Sequence, residues 1–253
     1  MSKIGLQLYT LREAAADNFQ NLLKDVGAIG YEGVQFAGFY DTSAEDVDST
    51  LVRSETIPAG AHVPIDQLQE NLDSVKKFNH SINNSLIICP YLPEEMRQTK
   101  EDYLKNAELF NQIGKELKDS GFQFAYHNHA FEFEKVENET GFSLIFENTD
   151  PELVKIELDC YWATYAKYDP INIINDYKNR CISLHIKDIK EENGEKVSTE
   201  IGNGTLDVRS LIQTGIKNNV EWFIVEQEHF TGDPLKSAGK NLSALKDMLQ
   251  EIE

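Results

Sequence analysis

VKIELDCYWATYAKYDPINIINDYKNRCISLHIKD, residues 154–188, reads as one complete strand–helix–strand unit. An apolar run (154–162) gives way to a polar segment of helical length (170–178). A second apolar run (181–188) follows, and both runs end in ionisable residues. Runs of the same kind recur outward in both directions. KIGLQLYT (3–10), GVQFAG (33–38), TIPAGAHV (56–63), SLIICPYL (85–92), FQFAYHNH (122–129) and EWFIVEQE (221–228) bring the candidate strands to eight.

Helical periodicity fills the gaps. Phe19, Leu22, Val26 and Ile29 form one stripe behind a plausible cap at Asp17. Tyr103, Ala107, Phe110, Ile113 and Leu117 form a second, and Leu242, Leu245, Leu249 and Ile252 a third. Segments 43–52, 67–79, 141–148, 170–178 and 207–218 have helical length and polarity with a weaker stripe. No linker or shift in composition divides the chain, so residues 1–253 are expected to form a single domain. Eight alternating units predict an α/β (β/α)₈ barrel. A doubly wound sheet would show a glycine-rich first turn, and QLYTLRE has no GxGxxG or GxxxxGK[ST].

Composition narrows the partners. With 43 acidic against 24 basic side chains the formal charge is −19, which opposes binding to phosphate backbones and anionic lipid. No run of eighteen apolar residues is present, so no membrane span is expected. MSKIGLQLYTLRE turns polar too early for a secretory signal, and a cytoplasmic location is the expectation. Cys89, Cys160 and Cys181 are widely spaced within apolar runs, which reads as buried hydrophobes rather than a disulfide framework or metal knuckle.

A barrel places its chemistry at the carboxyl ends of its strands. Alternation along the last four runs aims His127 and His129, Asp159 and Tyr161, His185 and Lys187, and Glu226 and Glu228 inward. Singly, each has a plain explanation as a satisfied polar group or a loop cap. Together, buried charges of this kind cost several kcal/mol unless paired. A mixed imidazole and carboxylate set suits Mn²⁺, Mg²⁺, Co²⁺ or Zn²⁺. Four of the six histidines (His62, His127, His129 and His185) fall at strand ends.

The chain resembles the xylose isomerase-like barrels, which include sugar-phosphate isomerases and epimerases, inosose dehydratase and endonuclease IV. The resemblance rests on IGLQLYTLR (4–12), GYEGVQF (30–36), LDCYWA (158–163), SLHIKD (183–188), IGNGTLD (201–207) and FIVEQE (223–228). It implies one divalent metal ion held from strands five to eight, and by motif the last three ligands are Asp159, His185 and Glu226. Asp159 and His185 stand 26 residues apart, one βα unit. On the fifth strand the chain departs from the pattern. Epimerases of the family typically read E-N-H where YHNHAFEF puts His127 in the glutamate's place. His127 on the strand is the favoured fourth ligand, and Glu132 in the following loop is the alternative.

The implied chemistry is proton transfer beside a carbonyl of a sugar or keto-sugar, as in an isomerase or epimerase. Glu226 would be the base, and His129 or Glu132 the second proton-transfer group. A dehydratase or lyase acting on a keto-sugar or keto-inositol is the alternative, and a sugar-binding barrel without catalysis the alternative of another class. Lys187 is placed to bind a substrate oxygen, or else to pair with Asp188 or another carboxylate. His62, Trp162 and Glu228 complete the expected substrate contacts. GNG (202–204) is too short for a phosphate cradle, which favours an unphosphorylated sugar. A homodimer is compatible with the helical exterior, although no stripe demands it.

Overall fold

The computed structural model describes residues 2–252. Eight strands close into a barrel: β1 (Lys3–Gln7), β2 (Gly33–Phe36), β3 (Ile57–His62), β4 (Leu86–Cys89), β5 (Gln123–His127), β6 (Lys155–Asp159), β7 (Cys181–Ile186) and β8 (Trp222–Val225). Each pairs in parallel with its sequence neighbours, and β8 returns to β1. Around them lie α1 (Arg12–Ile29), α2 (Ala44–Ser54), α3 (Ile65–Glu70), α4 (Leu72–Ser81), α5 (Lys100–Asp119), α6 (Gly141–Glu147), α7 (Cys160–Tyr165), α8 (Pro170–Tyr177), α9 (Val208–Lys217) and α10 (Pro234–Ile252). The (β/α)₈ barrel expected from the repeats is the fold. Among the described residues no helix is long and apolar enough to cross a membrane.

All eight expected strands are present and shorter than their apolar runs. β6 shows why. Asp159 accepts a hydrogen bond from the Trp162 amide at 2.8 Å, which caps α7 and turns the chain out of the sheet. Tyr161, expected to point inward by alternation, therefore sits on a helix. The cap expected at Asp17 lies one residue later: Asn18 has non-helical angles (φ −156°, ψ 93°) and its side chain accepts from the Asn21 amide. The single helix expected at 67–79 is split between α3 and α4. Two antiparallel hairpins, at 135–140 and 188–199, occupy loops after β5 and β7.

The barrel's floor is apolar. Trp222 and Ile224 of β8 meet Ala59 of β3, and there is room for the indole only because the facing residue is glycine. A Cβ on Gly33 would stand 2.5 Å from the Trp222 ring. Leu86, Ile88 and Ala125 continue this layer. Outside the strands, Leu6, Val34, Phe124 and Phe223 pack under the helices. Burying each large side chain there contributes roughly 1.5–3 kcal/mol. Cys89, Cys160 and Cys181 are buried in these apolar regions with free thiols. At the open end the barrel's contents change from apolar to charged.

Candidate active site and metal centre

Glu157 lies at the centre of that polar layer with no exposure to solvent. Its Oε1 is 2.7 Å from His62 Nε2, 3.2 Å from His127 Nδ1 and 3.1 Å from His185 Nε2. Its Oε2 accepts from Gln35 Nε2 at 2.6 Å. Burial raises its carboxyl, but the His185 charge and the imidazole hydrogen bonds outweigh burial and hold it well below the usual range. An ionised carboxylate only accepts, so His62 and His127 donate to it, whereas His185 Nε2 approaches it as an ion pair outside hydrogen-bond geometry. Gln35 Oε1 takes a further bond from His185 Nε2 at 2.7 Å and one from Gln7 Nε2 at 2.7 Å. Register supplies these partners, because Gln7 of β1 stands opposite Gln35 of β2, and His127 of β5 opposite Glu157.

With those nitrogens committed, the opposite nitrogens point toward the mouth. His185 Nδ1 is 2.8 Å from Glu226 Oε2, and His127 Nε2 is 3.9 Å from Asp159 Oδ2. A carboxylate behind an imidazole that frees its other nitrogen for a cation is the usual support of a metal-binding histidine. Burial and the neighbouring His185 charge keep His127 neutral, well below its ordinary value. Burial would lower His185, yet Glu157 and Glu226 raise it to about 10, so with no metal bound it is an imidazolium between two carboxylates.

Asp159, His185 and Glu226 each bring a donor atom within 4.8 Å of the others. Asp159 Oδ2 is buried and makes no hydrogen bond. The mixed nitrogen and oxygen donors, with one orphaned carboxylate oxygen, fit a divalent ion. His127 stands apart from the expected four-ligand set: its close group is His62, Glu157 and the other nitrogen of His185. That lower group is already closed, because His62 and His127 spend an N–H on Glu157 and His185 Nε2 spends its own on Gln35. Burial raises Asp159 to about 6 against the pull of Lys187. Glu226 is raised by burial but taken well below its ordinary value by Lys187 and His185.

Lys187 is 1% exposed and lies among carboxylates. Its Nζ is 3.0 Å from Asp159 Oδ2, at an angle outside hydrogen-bond geometry, 3.2 Å from Glu226 Oε2 and 2.7 Å from Glu228 Oε1. Burial would lower its ammonium, but these carboxylates, Asp159 foremost, raise it. Of the two expected roles, pairing with carboxylates is the one observed. Asp188 is not among its partners. It accepts from the amides of Ile189, Gly202, Gly204 and Leu206, which fastens the loop carrying GNG to the barrel. Those amides are therefore spent and cannot cradle a phosphate.

A cavity of about 420 Å³ opens above, lined by His62, His127, His129, Trp162, Glu226 and Glu228 together with Tyr9 and Tyr91. His129 has a buried Nδ1 with no partner, and burial with the nearby Lys187 charge lowers it to about 4. Trp162 forms a wall 5.9 Å from the His129 ring. Glu228 lines the cavity and pairs with Lys187. His62 fronts the cavity, but its nitrogens turn inward to Glu157 and to Gln7, 3.4 Å away, which corrects the expected substrate hydrogen bond.

Glu132 is also corrected. It sits outside the barrel, accepting from the Tyr126 hydroxyl at 2.5 Å and the His129 amide at 2.6 Å, and has no place in the metal group. Tyr126 itself packs on Phe110 of α5. Gln7 and Gln35 carried a signal that the strand-end reading passed over: each is an uncharged polar residue in an otherwise apolar strand.

A closed parallel barrel with its ionisable groups gathered at the strands' carboxyl ends defines a (β/α)₈ barrel with its site at the open face. The chain belongs to the xylose isomerase-like TIM barrel family, whose model matches residues 7–248. It is 22% identical to an inosose dehydratase of Clostridium tetani, over 89% of this chain and 86% of that protein. A sugar phosphate isomerase/epimerase from Parabacteroides distasonis superposes with a TM-score of 0.84 at 22% identity, covering 97% of this chain and 94% of the other. A D-tagatose 3-epimerase-like protein does so with a TM-score of 0.74 at 16% identity, covering 99% and 98%.

Proposed function

We propose that this chain is a divalent-metal-dependent sugar isomerase that moves a proton beside the carbonyl of an unphosphorylated sugar or keto-sugar. The observation that carries this reading is Glu226. Its carboxylate lines the cavity, shares a donor group with Asp159 and His185, and among the described residues receives no hydrogen bond at Oε1.

A divalent ion held by Asp159, His185 and Glu226 would supply the positive charge that stabilises an enolate oxygen. The rest is done by this chain's own groups. Glu226 Oε1 takes the proton from the carbon beside the carbonyl and returns it to the neighbouring carbon on the same face, while the hydroxyl proton passes through His129 Nδ1 to the former carbonyl oxygen, so the carbonyl changes carbon with no net gain or loss of protons. His129, neutral and unpartnered at Nδ1, accepts a substrate hydroxyl, and Trp162 presents an apolar wall to the ring's C–H face. Epimerisation with inversion needs a second acid or base on the opposite face. His127 spends Nδ1 on Glu157 and His129 serves the substrate's hydroxyl, which favours one-base carbon chemistry with Glu226. The spent amides around Asp188 and the net charge of −19 favour a substrate without phosphate.

Dehydration is the second reading, favoured by the inosose dehydratase relatives. One carboxylate can also serve a syn elimination, handing the abstracted proton to a departing β-hydroxyl as water. Incubation with a panel of keto-sugars and keto-inositols, followed by mass spectrometry, separates the two: isomerisation preserves mass, and dehydration removes one water. Glu226→Gln should lower turnover at least about 10³-fold while the far-ultraviolet circular dichroism is unchanged. Full activity in that variant contradicts the mechanism. Sugar binding without turnover in the metal-loaded wild type would make the chain a binding barrel.

A further inference from the structure

Resting on the metal-dependent reading above, we propose that Lys187 is a built-in counter-cation that exchanges with the divalent ion. Its ammonium holds the Asp159, Glu226 and Glu228 carboxylates when no ion is bound, and gives up the first two to keep only Glu228, at the cavity wall, when one binds. The geometry sets up a competition. Nζ lies 3.0 Å from the one Asp159 oxygen that has no hydrogen bond, and 3.2 Å from the Glu226 oxygen that faces His185. A metal ion binds carboxylate oxygen at about 2.0–2.2 Å. An ion in that group and an ammonium at its present contacts would place like charges side by side in a buried site, where Coulomb repulsion is poorly screened.

The structure also offers the displaced ammonium a resting place. Glu228 Oε1 is the shortest of its three contacts, at 2.7 Å, and Glu228 belongs to neither group of metal-type donors. The Tyr161 and Trp162 rings lie 5.2 and 5.3 Å from Nζ, within cation–π reach. A flexible four-carbon stem with a compact charge can make this short move, whereas a planar guanidinium fork would not pivot so freely. Glu228 lines the cavity and Lys187 does not. Loading the ion therefore leaves the ammonium on the one partner of its three that lines the cavity without belonging to the metal-type donors.

The test is calorimetric titration of Mn²⁺ into chelator-treated wild type and Lys187→Met, a replacement of similar length without charge. The exchange predicts that Lys187→Met binds Mn²⁺ at least about tenfold more tightly. It also predicts that the ion-free variant melts at a lower temperature than the ion-free wild type, and that Mn²⁺ removes the difference. Equal or weaker binding by a folded Lys187→Met overturns the exchange while leaving the metal reading intact. Wild type that binds no Mn²⁺ overturns the metal reading, and the exchange falls with it. Crystals of wild type with and without Mn²⁺ give an answer that does not depend on the variant folding. Nζ should leave Asp159 and stay with Glu228 in the loaded form, and an ammonium unmoved beside bound Mn²⁺ would refute the proposal.

Discussion

A fully buried carboxylate is tolerated only when its oxygens are filled by donors, and breaking such an arrangement costs about 3–5 kcal/mol. Glu157 fills its oxygens from four strands at once, with His62, His127, His185 and Gln35. Alternation along the sequence places Glu157 inside the barrel, but names no partner for it. The partners come from β2, β3, β5 and β7, and only register brings them to one carboxylate. Glu157→Gln would put an amide N–H₂ where an acceptor is required and turn at least one imidazole over. Affinity for Mn²⁺ should then fall about 10–100-fold by calorimetry; wild-type affinity would show that Glu157 does not position the ligands.

Glu132 yields a pH prediction. Burial pushes its carboxyl up to about 7, against the hydrogen bonds from Tyr126 and the His129 amide. A folded-state value above the unfolded one gives stability that is present below about pH 4.5 and lost as pH rises through about 7. The loss is at most about 3 kcal/mol. In urea unfolding between pH 4.5 and 8, wild type should lose stability relative to Glu132→Gln by up to that amount. Parallel profiles would contradict the assignment.

Among the elements, the strands were legible and their ends were not. Apolar runs mark all eight strands because each is buried on both faces. Where the strand stops depends on a single cap, and Asp159 is at once an inward strand residue and the cap of α7. The hairpin at 188–199 escaped notice because its alternation is short and polar. Its anchor is Asp188, 1% exposed and bonded to four amides. Asp188→Ala leaves those amides unpaired, so hydrogen exchange at Ile189 and residues 202–206 should accelerate by at least tenfold, with a stability loss of about 1–3 kcal/mol. Unchanged protection in this segment would show that the loop is held by something else.

At the scale of the molecule, eight repeats made the barrel readable. The site's ionisable residues were readable one by one, and their sorting into two layers was not. Asp159, His185 and Glu226 announce themselves as charged strand ends, as do His62 and His127; the parity of Glu157 turns it inward, but nothing in a linear sequence joins it to Gln35 and the imidazoles around it. His185 joins the halves, one nitrogen committed to Glu157 and Gln35 below, the other turned to Glu226 above. The two groups of donors it touches make different demands on a metal, and the account depends on the upper one. Anomalous diffraction from crystals grown with Mn²⁺ is the most direct measurement. The account predicts a peak within coordination distance, about 2.0–2.3 Å, of Asp159, His185 Nδ1 and Glu226. A peak among His62, His127 and Glu157, or none at saturating Mn²⁺, would contradict it.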